Sequence, residues 1–223
     1  MVFSKEWEET YNKGQHFSTW PWSDLVSFVH RFSKPSDGFN SILELGCGAG
    51  ANIPLFLDLK FDYYAIDGSK SIIKYLHSKF PDHKDKIIKS DFTKKIPFLR
   101  KFDLIVDRSS LISNDTEGVS NGLRLLSSKL KPNGRFIAID WFSEDHDGFK
   151  LGEIIDEQTR CNFPSNSDFS GIGKIHFCNK NYLTKILRKE NLHLTYIEHK
   201  ITKSDFKNNN ETKAVWNFVC EKR

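Results

Sequence analysis

Apolar and polar positions along the chain follow two repeats, one typical of buried strands and one of helices with a single apolar face. Short apolar runs predict five strands, at residues 41–45, 62–66, 86–89, 102–106 and 135–141. Between them, apolar residues recur every three or four positions, which is typical of helices packed against a sheet. The clearest such sets are Ile72, Ile73, Leu76 and Phe80, and then Val119, Leu123, Leu126 and Leu130. Strands that alternate with helices indicate an α/β fold with a mostly parallel sheet and right-handed crossovers.

The pattern changes at both ends of this repeat. Upstream, Leu25, Phe28, Val29 and Phe32 have helical spacing, so residues 1–38 are interpreted as an N-terminal helical cap. Residues 142–178 are rich in Asp, Gly, Ser and Asn, with a short helix predicted only around 152–159. A segment this irregular is more often functional than not, which predicts an insert or lid.

The end of the chain predicts a helix at 181–189, followed by strands at 194–201 and 214–220. A polar loop at 203–210 joins these two strands, so they should form a long antiparallel hairpin. With 223 residues and no internal repeat, the chain is expected to form one domain over residues 1–223.

The turn after the first predicted strand carries the strongest functional signal. The strand ends in Glu44 and Leu45 and continues as Gly46-Cys47-Gly48-Ala49-Gly50. Glycines are needed where the backbone has a positive φ or where a ligand touches the main chain. A strand that leads into such a turn predicts a cofactor at the carboxyl edge of a parallel sheet. The turn alone does not identify that cofactor, because Gly46-x-Gly48-x-x-Ala51 also satisfies the dinucleotide pattern.

Composition narrows the class of protein. Hydrophobic residues make up 38% and charged residues 28%, which is typical of a globular protein. No apolar run reaches the roughly 20 residues of a membrane span, and the first residues lack the apolar core of a signal peptide. We therefore expect a cytoplasmic protein without a membrane partner. A net charge of +4 without a concentrated basic stripe does not indicate nucleic acid, and nothing indicates an oligomeric state.

Metal chemistry is not predicted either. The four cysteines have no metal-ligand spacing, and the acidic cluster at 140–147 is too closely spaced for an obvious site.

Several short acidic and glycine-rich motifs follow one another at the ends of the predicted strands. The first is the run from Glu44 to Gly50. Asp67 then ends the second strand, Asp91-Phe92 follows the third and Asp107 closes the fourth, before a turn that spans residues 130–135. Together with the C-terminal hairpin, these motifs resemble the class I S-adenosylmethionine-dependent methyltransferases over residues 40–221. The resemblance implies a Rossmann-like, seven-stranded, mostly parallel sheet with an antiparallel C-terminal strand.

The same resemblance implies S-adenosylmethionine as the cofactor. It assigns the ribose hydroxyls to Asp67 and the adenine to Asp91 and Phe92. A carboxylate about 20 residues beyond the glycines can accept both hydroxyl hydrogen bonds. The other predicted cofactor contacts are Tyr11, Trp20, Glu44, Gly46, Cys47, Gly48, Asn52, Gly68, Ser69 and Asp107. Asp67→Ala should then weaken donor binding with little loss of folding.

Methyl transfer from a sulfonium needs alignment and exclusion of water, and needs a base only when the nucleophile arrives protonated. The candidate catalytic residues are His16, Arg108, His146 and His176. The N-terminal segment is rich in aromatic residues, which attract cations. Among them, Tyr11, His16 and Trp20 are predicted to line the pocket, whereas Trp7 and Trp22 could equally anchor a helix.

The favoured function is a methyltransferase for a small-molecule acceptor. Motifs of the amino-methylating and cytosine C5 DNA enzymes are absent from the sequence. One alternative is an NAD(P)-dependent oxidoreductase on a dinucleotide-binding fold. Another is a methyltransferase-like binding protein without catalysis.

Overall fold

A computed structural model describes residues 4–204 and 211–223. The first three residues of the N-terminal cap, and most of the polar loop predicted at 203–210, lie outside the described residues. The helices are α1 (Lys5–Asn12), α2 (Ser23–Phe32), α3 (Ile53–Asp58), α4 (Lys70–Lys79), α5 (Thr116–Lys129) and α6 (Lys180–Lys189). The strands are β1 (Ser41–Leu45), β2 (Asp62–Asp67), β3 (Ile87–Lys89), β4 (Phe102–Arg108), β5 (Leu130–Phe142), β6 (Glu153–Ile154), β7 (Thr159–Cys161), β8 (Ile175–His176), β9 (Leu192–Lys203) and β10 (Thr212–Lys222).

Seven strands form the central sheet, in the order β3-β2-β1-β4-β5-β10-β9. The first five pair in parallel, and β10 runs antiparallel to both β5 and β9. The prediction of a seven-stranded α/β sheet with one antiparallel C-terminal strand is therefore confirmed. Among the described helices, none combines the length and the apolar character that crossing a membrane would require.

Apolar side chains fill a layer on each face of this sheet, as alternation along the strands requires. In β1, Ile42 belongs to the layer that includes Leu76 of α4, whereas Leu43 belongs to the layer that includes Leu123 of α5. All five residues of β1 are buried, since helices cover both faces of the sheet. The carboxyl ends of the parallel strands are left as the edge at which a site can form.

One predicted helix and one predicted helix end differ from the structure. The helix expected around 152–159 is instead the hairpin of β6 and β7, which β8 extends to a three-stranded sheet. Asp156 forms the turn of this hairpin, because its carboxylate accepts from the backbone N–H groups of Gln158 and Thr159. The helix whose predicted apolar face includes Leu130 ends at Lys129, because Leu130 already pairs with Phe102 of β4.

Candidate active site at the carboxyl edge of the sheet

A cavity of about 440 Å³ lies at the carboxyl ends of the parallel strands. Its volume is within the range of roughly 300–1,000 Å³ that is typical of small-molecule sites. The glycine turn after β1 and the loops after β2 and β3 line one half of it. The other half is lined by the ends of β4 and β5, the N-terminal segment and the insert.

The glycine turn is fixed against the neighbouring strand. Gly46 N and Cys47 N donate to the carbonyl oxygen of Ile66, at 2.8 and 3.2 Å. Gly46 has a φ of +63°, and a Cβ there would overlap the hydroxyl of Ser110. Glycine at this position is therefore required both by the backbone conformation and by the close approach of the loop after β4.

Asp67 ends β2, and its carboxylate connects the glycine turn after β1 to the loop after β2. Its Oδ2 accepts from Gly48 N at 2.9 Å, and its Oδ1 accepts from Ser69 N at 2.8 Å. The residue is only 3% exposed, and burial raises the pKa of its carboxyl to about 6. Each oxygen keeps a lone pair for a further hydrogen bond, and the residue lines the cavity.

Glu44 and Asn52 form a second buried polar group in the turn. Asn52 Nδ2 donates to Glu44 Oε1 at 2.8 Å, and the Tyr63 hydroxyl donates to Oε2 at 2.6 Å. Burial raises the pKa of the Glu44 carboxyl to about 7. Asn52 Oδ1 accepts from Trp22 N at 3.3 Å, which ties the N-terminal segment to the turn.

The loop after β3 lines the same half of the cavity as the glycine turn. Asp91 and Phe92 both line the cavity, as does Gly68 from the loop after β2. Asp91 Oδ1 accepts from Thr93 N at 3.1 Å and from the Thr93 hydroxyl at 2.6 Å, so the loop holds the carboxylate in one orientation.

The ends of β4 and β5 carry an ion pair into the other half of the cavity. Arg108 Nε donates to Asp140 Oδ2 at 2.9 Å, and its guanidinium carbon lies 3.4 Å from the centre of the Trp22 ring. Ser109 and Asp140 have φ values of +54° and +58°, which non-glycine residues rarely adopt. Backbone strain of this kind is concentrated at functional sites, where surrounding contacts hold it.

Aromatic residues of the N-terminal segment cover the cavity. Trp7, Tyr11, His16 and Trp22 all line it, and the Trp7 ring lies 5.7 Å from that of Tyr11 and 5.4 Å from that of His16. The carboxylate of Glu8 accepts from two backbone N–H groups at the start of α4, at 3.1 Å each. This contact anchors α1 above the half of the cavity that the glycine turn and the loops after β2 and β3 line.

Comparisons with known proteins identify the family. A model of the family described as "Methyltransferase domain" matches residues 15–197, which is most of the chain. The chain belongs to the methyltransferase domain family. A search of curated protein sequences finds no match.

Solved structures similar to this methyltransferase have the same fold. One is an S-adenosylmethionine-dependent methyltransferase from Clostridium acetobutylicum, with 16% identity, a TM-score of 0.64, and coverage of 97% of this chain and 96% of the other. A second, from Methanosarcina mazei, has 15% identity, a TM-score of 0.65, and coverage of 91% and 98%.

A third is the 1,6-didemethyltoxoflavin-N1-methyltransferase of Burkholderia thailandensis, solved with that molecule and S-adenosylhomocysteine bound. It has 14% identity, a TM-score of 0.63, and coverage of 96% and 84%. The predicted class I family is confirmed, and with it an enzyme whose methyl donor is S-adenosylmethionine. The alternative of a nicotinamide-dependent oxidoreductase is rejected.

The half of the cavity lined by the glycine turn and the loops after β2 and β3, here called the donor half, has side chains whose chemistry fits S-adenosylmethionine. The free lone pairs of Asp67 suit the two hydroxyls of a ribose, and those of Glu44 suit an ammonium group. Gly46 and Gly48 leave the main chain open to the donor, and the aromatic faces of Trp7 and Tyr11 suit a sulfonium cation. Of the predicted cofactor residues, the structure brings together on this cavity Tyr11, Glu44, Gly46, Cys47, Gly48, Asn52, Asp67, Gly68, Asp91 and Phe92.

Three predicted cofactor contacts do not line the cavity. Trp20 is 82% exposed, and the rings that line the cavity include those of Trp7 and Trp22 instead. Asp107 is fully buried and accepts from Trp141 Nε1 and from Leu111 N, so it supports the loop after β4. The Ser69 hydroxyl accepts from Ile72 N and caps α4. Asp107 and Ser69 serve local structure, as a residue that ends a strand or begins a helix often does.

The catalytic candidates divide in the same way. His16, Arg108 and His146 line the cavity. His176 does not: it is fully buried in β8, its ring lies 5.5 Å from that of Tyr182, and burial lowers its pKa to about 4. It is therefore a packing residue. Within residues 4–204 and 211–223, no group of three or more His, Cys, Asp and Glu could hold a metal ion.

Sequence reasoning missed several residues that line the cavity. They are Ser109, Ser110, Asp140, Phe142, Phe169 and Lys213. Asp140 could have been found, because it lies near the carboxyl end of the predicted fifth strand, as Asp67 lies at the end of the second. The others come from loops, from the last residue of β5 and from the antiparallel strand β10, where no periodicity shows which side chains face a site.

Proposed function

We propose that this methyltransferase transfers a methyl group from S-adenosylmethionine to a small-molecule acceptor by in-line displacement. The supporting observation is that one cavity is lined both by the donor residues of the glycine turn and by apolar residues of the insert, among them Phe169, Ile172 and Ile175. The N-terminal cap and the insert both contribute to its walls, and a covered cavity of about 440 Å³ suits a small acceptor better than a polymer.

In this proposal, the residues of the chain bind the donor, orient the acceptor and exclude water. Asp67 holds the ribose hydroxyls, while Asp91 and Phe92 border the adenine. Glu44 faces the ammonium group. S-adenosylmethionine, when bound, supplies a methyl group that its positively charged sulfur already activates. Trp7 and Tyr11 cover this position and keep water away from it, which favours attack by the acceptor alone.

Arg108 and its ion-pair partner Asp140 are proposed to orient the acceptor. The guanidinium is held by Asp140 at Nε and by the face of Trp22, so its Nη groups remain available to the cavity. A base is needed only for an acceptor that arrives protonated, and His16 and Asp140 are the groups best situated to take that proton. The Asp140 carboxylate keeps a free oxygen for this purpose, because only Oδ2 is paired with Arg108.

The donor is tested by titration calorimetry with S-adenosylmethionine, S-adenosylhomocysteine and NAD. We expect binding of the first two and none of the third. Turnover is then measured as S-adenosylhomocysteine released in the presence of small alcohols, amines and thiols, with a histone peptide and an oligonucleotide as controls. Methylation of either control but of no small molecule would refute the acceptor class.

In-line displacement is tested with a donor that carries a chiral methyl group. A single displacement inverts the configuration of that methyl. Retention would show two displacements and therefore a methylated enzyme intermediate. Donor binding without turnover of any acceptor would favour the non-catalytic alternative.

A further inference from the structure

His146 lines the cavity from the insert, and its ring is held in one orientation. The residue caps a 3₁₀ turn at Asp147–Lys150, because Gly148 N donates to His146 Nδ1 at 3.0 Å. The ring of Phe142 lies edge-on to it at 5.6 Å between centroids, and that of Phe169 lies at 4.9 Å. One edge of the imidazole is thus fixed by a hydrogen bond, and aromatic rings restrict its faces.

The hydrogen bond from Gly148 determines the tautomer. A backbone N–H can only donate, so Nδ1 accepts and the proton of the neutral imidazole lies on Nε2. Burial lowers the pKa of His146; Asp168 and Asp147 oppose this shift, and Lys213 adds to it. A protonated ring would also direct a second N–H against that of Gly148. The neutral ring with Nε2–H is therefore the form expected at neutral pH.

The Nε2–H group of His146 is available to a molecule in the cavity. Nε2 has no hydrogen-bond partner in the described part of the chain. It is not sealed off as the Nε2 of His176 is, which lies buried without a partner. Since the His146 ring lines the cavity, an occupant of the acceptor half can satisfy this donor.

The surroundings of His146 indicate the kind of molecule that would do so. Phe142, Phe169, Ile172 and Ile175 give this half of the cavity apolar walls. Among the described residues, the cations that line it are already paired, Arg108 with Asp140 and Lys213 with Asp168. These walls suit a flat, uncharged body better than a carboxylate or a phosphate.

We propose that His146 is a fixed Nε2–H hydrogen-bond donor to the methyl acceptor, which is a flat, uncharged molecule with a ring nitrogen or carbonyl oxygen facing it. This inference rests on the proposed function of the cavity. It also corrects the sequence-based expectation that His146 takes a proton. An imidazole that already carries its proton on the atom facing the substrate cannot act as a base there.

The tautomer is tested by ¹H–¹⁵N spectroscopy of the full chain labelled with ¹⁵N-histidine, in complex with S-adenosylhomocysteine. The His146 signal is assigned from the spectrum of His146→Gln. We expect a protonated Nε2 and an unprotonated Nδ1 at pH 8. A proton on Nδ1 at this pH would overturn the inference. Calorimetry on the same protein before S-adenosylhomocysteine is added reports donor binding separately, so a failure of the proposed function is distinguishable.

The acceptor class is tested with quinoline and naphthalene, which have nearly the same shape and differ by one acceptor nitrogen. We expect the S-adenosylhomocysteine complex to bind quinoline more tightly by roughly five- to tenfold, as one net hydrogen bond implies. His146→Gln, whose amide can donate, should keep this preference, and His146→Leu should lose it. His30→Gln, at an exposed position, is the control. Equal binding, no binding of either compound, or an unchanged preference in His146→Leu would show that the inference is wrong.

Discussion

Asp67→Ala should weaken folding as well as donor binding, because the carboxylate holds the glycine turn. The substitution leaves the backbone N–H groups of Gly48 and Ser69 without their acceptor. Each buried donor left unpaired costs about 1–3 kcal/mol, so we expect a total loss of about 3 kcal/mol. For a domain of this size, that corresponds to a fall in melting temperature of about 6–12 °C. The sequence alone predicted little loss of folding.

Urea denaturation followed by circular dichroism measures this loss at pH 8, where Asp67, with a pKa of about 6, is ionised. Asp62→Ala is the matched control. It lies at the other end of β2 and forms half-exposed ion pairs with Lys86 and Arg100, so it should cost about 1 kcal/mol. Calorimetry should show that Asp62→Ala binds S-adenosylhomocysteine normally and that Asp67→Ala does not.

The two roles of Asp67, in folding and in donor binding, are tested separately. An unfolding midpoint of Asp67→Ala equal to that of the wild type would show that Asp67 does not hold the turn. Normal binding of S-adenosylhomocysteine by this variant would show that Asp67 does not bind the ribose.

Three further predictions concern the same site. Gly46→Ala should cost about 3 kcal/mol in urea denaturation, from overlap and a positive φ, whereas Gly171→Ala, with a positive φ but open space, should cost about 1 kcal/mol. Equal losses would contradict the close approach. Donor affinity should rise by up to about a hundredfold from pH 5.5 to 7.5, since Glu44 and Asp67, with pKa values of about 7 and 6, become acceptor-only carboxylates as they ionise. Flat calorimetric affinities would argue against contact with either group. Trp20→Ser should change S-adenosylhomocysteine affinity by less than about twofold, because the ring is 82% exposed; a larger loss would put Trp20 in the site.

Patterns in the sequence were sufficient to predict the sheet and most of the residues at its donor-binding edge. Strand periodicity fixes which residues face each layer, and the carboxyl ends of parallel strands must meet at one edge. Residues that directly follow a strand, such as Gly46, Asp67 and Asp91, therefore had predictable positions. Their chemistry is also local, because a positive φ or a carboxylate at a strand end can be recognised without distant contacts.

The residues that cover the cavity and line its other half could not be predicted, because their positions depend on contacts between distant parts of the chain. Trp20 and Trp22 differ by two positions in an aperiodic segment, yet one faces solvent and the other stacks on Arg108. Asp107 occupies the expected strand end, but Trp141 uses its carboxylate. The proposed role of His146 as a donor rather than a base rests on the hydrogen bond that Gly148 N donates to its Nδ1. Such roles depend on which groups come together across the fold, and loops carry no repeat from which those contacts follow.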